Sequence, residues 1–123
     1  MLNVRVFIKE LLDQLGYRVR QARPEGDIIL PLIVYAETDN VNVGLWHDRL
    51  TYQFDVYTNT FSELLDVLDE VDDKIRGLGF QRTYVSPDTT AREDTDLYHK
   101  YAVYTADVNT RTNNIYQNEI RRN

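Results

Sequence analysis

The sequence predicts one small α+β domain, with two helices packed on a four-stranded sheet that is antiparallel or mixed. Three observations predict it. Residues 50–57 alternate, with Leu50, Tyr52, Phe54 and Val56 set against the wetter Thr51, Gln53, Asp55 and Tyr57; that is the pattern of a strand with one buried face. A helix carrying both a start and a stop signal follows at once. The chain has 123 residues, 42% of them hydrophobic, enough for one core and too few for separate cofactor and substrate domains.

The elements follow in order. Val4, Phe7, Ile8, Leu11, Leu12 and Leu15 recur at helical spacing and stop at Gly16, an amphipathic first helix. Residues 17–21 form a short candidate strand, and 22–27, with Pro24 and Gly26, a turn. The apolar, β-branched run 28–37 reads as a strand. Pro31 within it lacks a ladder donor and belongs at an edge or bulge. Residues 38–48 read as a polar loop with Asn40, Asn42 and Gly44 that nevertheless carries Leu45 and Trp46.

After the alternating strand, Thr60 and Glu63 make a capping box. Phe61, Leu64, Leu65, Leu68, Val71, Ile75 and Leu78 form the apolar stripe of the second helix, and Asp66, Asp69, Glu70, Asp72 and Asp73 fill its other face. Gly79 then Phe80 suits a left-handed cap with an apolar residue just beyond. Residues 81–85 read as a strand, 86–96 as a charged, turn-rich loop, and 97–108 as the last long strand. The principal order is therefore α-β-β-α-β-β, with short connections favouring antiparallel hairpins. The predicted core is Phe7, Leu11, Phe54, Val56, Leu64, Leu68, Val71, Ile75 and Phe80. The domain spans residues 1–108. The Asn-rich tail 109–123 has too few apolar residues to offset its ordering entropy and is expected to order on assembly.

Composition narrows the function. Fourteen basic against twenty acidic residues leave a net charge of −6, a field that repels phosphate and disfavours non-specific nucleic-acid or anionic-membrane binding. No cysteine is present, which excludes disulfides and thiolate zinc. No run reaches the length of a membrane helix, and the N-terminal stretch lacks a signal-peptide core, so a soluble cytosolic protein is expected. Nine tyrosines suit a half-buried sheet surface, or a sheet partly covered by another subunit.

Candidate chemistry is thin. His47 and His99 are the two imidazoles. His99 and Lys100 are strand neighbours and face opposite sides, which argues against a dyad between them. Neither histidine sits in metal-ligand spacing. The acids of the second helix spread round its surface and do not wrap a loop as calcium requires, so they read as a solvated face. The five glycines never cluster into a phosphate loop. No cofactor, no metal and no enzymatic activity are expected. A small ligand-binding domain using His47 and His99, and an adaptor using the acidic helix, stand as rival readings.

The segments PLIVYAETDN, DRLTYQFDVYTNT, GLGFQR and DTDLYHKYAVYT resemble the tail terminator (tail completion) proteins of long-tailed bacteriophages. The resemblance covers roughly residues 2–108 and lies in element order and segment character; no signature motif anchors it. It implies a structural virion protein, a hexameric ring that caps the tail tube and offers a docking surface to the head connector. Partners would be other copies of the chain, the tail tube protein and a connector or head-closure protein, with DNA passing through unbound. The chain would reside in the virion neck and, during assembly, in the host cytoplasm. Other neck proteins share this style of domain, so a head-closure or connector component is the alternative. Under this reading Tyr35, Asn40 and Trp46, together with Arg92, Glu93 and Asp94 of the second long loop, are the candidate interface residues.

Overall fold

Helix α2 (Phe61–Leu78) starts and ends where its sequence dictates. Thr60 is extended, and its hydroxyl accepts from the Glu63 amide at 3.2 Å. Gly79 takes the left-handed conformation at φ 115°, its amide bonding to Arg76 O and that of Phe80 to Ile75 O. Both ends are thus satisfied by the chain itself. The computed structural model describes residues 4–21, 30–87, 97–112 and 114–115. Within them the order is α1 (Val4–Asp13), β1 (Arg18–Gln21), β2 (Leu32–Gly44), β3 (His47–Thr58), α2, β4 (Gln81–Val85), β5 (Tyr98–Asn109) and β6 (Asn114–Ile115).

The strands make one mixed sheet in the order β1-β2-β3-β5-β4, with the two-residue β6 pairing the far end of β5. The α+β class and the two helices are as the sequence predicts; the strand count and connectivity are not. β1 is a full member of the sheet and pairs parallel to β2, Arg18 opposite Leu32, where an antiparallel hairpin was expected. Pro31 lies just ahead of β2 and so takes no ladder position. The first two residues of the predicted strand 28–37 fall outside the described residues.

The polar loop expected at 38–48 is instead strand. β2 and β3 stay paired to their ends as a long hairpin, Asn40 with Leu50, Val41 with Arg49 and Asn42 with Asp48, and close through Leu45 and Trp46; β5 follows β3 as far as His47. A strand wetted on both faces carries no apolar alternation, so its composition imitates a loop. Asn42 braces the closure by donating its side-chain amide to Asp48 Oδ1 at 3.0 Å and to Gly44 O at 3.1 Å.

Both helices cover the same face of the sheet. On it Ile33 and Tyr35 of β2, Leu50 to Val56 at alternate positions of β3, and Ala102 to Val108 at alternate positions of β5 meet Val4, Ile8 and Leu12 of α1 and Leu64, Val67, Val71 and Ile75 of α2. The predicted core needs three corrections. Phe7, Leu11 and Leu68 are only half-buried; the stripe of α1 is turned so that Ile8 and Leu12 point inward, and Val67 of α2 takes the fully buried place. Leu65, expected on the buried stripe, is exposed.

Buried tyrosines tie the layers together. Tyr104 of β5 donates to Asp72 of α2, and Asp72 also receives Arg76 at 3.0 Å and Arg82 of β4 at 3.4 Å. Tyr17 donates to Glu70 of α2 at 3.1 Å. Tyr52 hydrogen-bonds Glu37, which Arg5 of α1 meets at 2.9 Å. The acidic face of α2 is therefore solvated only in part: Asp72 and Glu70 serve as acceptors for tyrosines.

The packing sets a contrast that thermal or urea unfolding can read. Ile75→Ala, at a side chain with no exposure, should cost about 2–5 kcal/mol. Leu65→Ala, three turns earlier on the outer face, should stay within about 0.5 kcal/mol. Equal losses at the two positions would contradict this placement of α2.

Candidate functional site

Two surfaces stand out, and each is built from strand geometry. The first is the end of the β2–β3 hairpin. Val41, Val43, Leu45 and Trp46 are all exposed there, Leu45 to 82%. Trp46 takes a positive φ of 59°; for a bulky residue this conformation is strained by about 1–3 kcal/mol. The end of β5 holds it. Thr110 donates its amide to Trp46 O at 2.9 Å, and the Arg111 guanidinium lies 5.9 Å from the centre of the indole. Single exposed apolar side chains are unremarkable, but a braced tip that gathers four of them is a candidate contact surface.

The second surface is the part of the sheet face opposite α1 and α2 that lies over β3, β5 and β4; at β2 the same face is buried, at Leu32 and Val34. Tyr57 of β3 and His99 of β5 are cross-strand partners and stack at 4.4 Å between centroids, 7° from parallel. His99 is followed along β5 by Tyr101 at 6.1 Å, and Tyr101 by Tyr84 of β4 at 5.9 Å. Asp55 Oδ2 sits 2.7 Å from His99 Nε2, while Gln53 donates to the other Asp55 oxygen at 2.9 Å. Burial, with a smaller contribution from Asp55, raises the Tyr57 hydroxyl above its ordinary pKa. The carboxylate fixes the imidazole and the tyrosine rings wall it in. As expected, Lys100 points to the opposite, helix-covered side; the partner of His99 is Asp55, from a different strand.

Farther down the same face, Asp107 of β5 receives Arg49 of β3 at 2.8 Å and lies 3.4 Å from His47 Nε2. The Arg49 hydrogen bond outweighs burial and, with His47, holds the Asp107 carboxyl below the usual carboxylate range. Asp72 is also depressed: burial alone would raise it, but Tyr104, Arg76 and Arg82 together overcome that. Among the described residues no three His, Asp or Glu side chains gather as metal ligands do. No helix there is long and apolar enough to cross a membrane.

The candidate interface residues separate. Trp46 stands at the hairpin tip, and Asn40 is exposed partway along the hairpin, its amide donating to Asp39 Oδ1 at 3.0 Å. Tyr35 corrects the expectation. It is 3% exposed and packs against Phe54 at 6.3 Å, because its position in β2 pairs with a core residue of β3; it has no surface to offer a partner. Arg92, Glu93 and Asp94 lie outside the described residues. Val41, Val43 and Leu45, exposed beside Trp46, are not singled out in the sequence, where Leu45-Trp46 inside a polar stretch is the available signal for the loop 38–48 as a contact region. The Asp55–His99 pair carries no sequence signal, since register alone joins the two strands.

Both depressed carboxyls give the fold an acid limb. Their stabilising contribution is complete above the ordinary carboxylate pKa and is lost as pH falls through the lower native values. Urea midpoints should therefore drop steeply between about pH 4 and pH 2. Asp107→Asn should lower the neutral-pH midpoint and flatten part of that drop; an unchanged acid limb in the variant would contradict the Arg49–Asp107 assignment.

A scan against models of protein families gave no match, and a comparison with curated proteins gave none.

Proposed function

We propose that the chain is a structural protein of a bacteriophage tail, a terminator whose subunits close into a hexameric ring on the end of the tail tube and present a docking surface to the head connector. The observation that carries this reading is the hairpin. Beyond Glu37 the β2 strand is exposed as far as Val43, and Val41, Val43, Leu45 and Trp46 stand in water at the end of the hairpin. These four side chains contribute nothing to the monomer's core, and they gain stabilisation by being covered. The resemblance of the strand and helix segments to tail terminators supplies the identity of the cover, namely other copies and the tube end.

The remaining features agree with a protein that works by contact. A ring needs a heterologous interface that closes, because one that does not close polymerises. The net charge of −6 suits a channel that lets DNA pass without holding it. On this reading the loop bearing Arg92, Glu93 and Asp94 contributes to tube or head contacts, and the protein resides in the neck of the virion.

The test is genetic and is read by electron microscopy. Replacing residues 40–48 with a short Asn-Gly turn in the phage that carries this gene should leave the domain folded and yield overlong or unjoined tails beside filled heads. Normal infectious particles from that variant would remove the hairpin from the mechanism. Normal particles after deletion of the whole gene would end the terminator reading.

A further inference from the structure

We draw no further inference here: the strongest candidate, the exposed apolar patch of Val41, Val43, Leu45 and Trp46 at the end of the β2–β3 hairpin, belongs to the contact surface already described, and nothing in the structure shows what covers it.

Discussion

The structure depends on what happens to a tyrosine hydroxyl once its ring is buried. Tyr52 and Tyr104 are almost fully enclosed between sheet and helices, and a hydroxyl left there without a partner costs as much as a lost hydrogen bond. Each finds a carboxylate: Tyr104 the Asp72 of α2, Tyr52 the Glu37 of β2. Burial and those acceptors raise both hydroxyls well above their ordinary pKa, so they remain donors at any physiological pH. The carboxylates in turn recruit cations, Arg76 and Arg82 on Asp72, and Arg5 of α1 on Glu37. With Tyr17 on Glu70, these pairs fix where α1, α2 and the edge strands sit relative to one another. An apolar stripe alone would let a helix slide along the sheet; a directional bond at its margin selects one position.

That principle also explains what was legible in the sequence and what was not. The ends of α2 were readable because Thr60, Glu63, Gly79 and Phe80 act within a few residues of one another. The alternation of β3 was readable because one side of it is core and the other is not. The abundance of tyrosine and the surplus of acid were each visible, but as two separate features. Their pairing is a property of contacts between residues distant in the chain, such as Tyr17 with Glu70. The same holds for Asp55 with His99 and for Arg49 with Asp107. Helix phase failed in α1 for a related reason: Phe7, Ile8, Leu11 and Leu12 offer two adjacent stripes, and α2 and the sheet decide which one is covered.

The misread hairpin has the most direct bearing on function. Strand propensity and loop composition conflict in residues 38–44, where Thr38, Asp39, Asn40, Asn42 and Gly44 surround Val41 and Val43. Pairing with β3 prevails, at the expense of bulges between Glu37 and Asp39 and again between Asn42 and Gly44. Among the described residues β1 pairs with β2 only as far as Tyr35, so the outer edge of the arm beyond it is not matched there. Bulges and a charge on such an edge discourage unplanned pairing with other strands. Asp39 lies at the first of them. The arm therefore presents side chains at its tip in preference to backbone along its length, and that bias favours a specific apolar contact over open-ended sheet growth.

The open sheet face bears on which kinds of partner remain reasonable. A row of mostly half-buried aromatics on the sheet face opposite the helices invites comparison with platforms on which bases stack, and stacking there needs rings with a free face. Here Tyr57 and His99 each give one face to the other at 4.4 Å, with Tyr101 and Tyr84 continuing the row at wider spacing. Beside it, Arg49 is already engaged with Asp107, and the chain as a whole is acidic. A surface of this kind is poorly suited to nucleic acid and well suited to packing against protein, where tyrosine edges supply both area and hydrogen bonds at low entropic cost. The exposed side chains of the hairpin tip and the paired rings of this face are both features that bury well against protein, the tip because its side chains are apolar and the face because its rings already pack on one another.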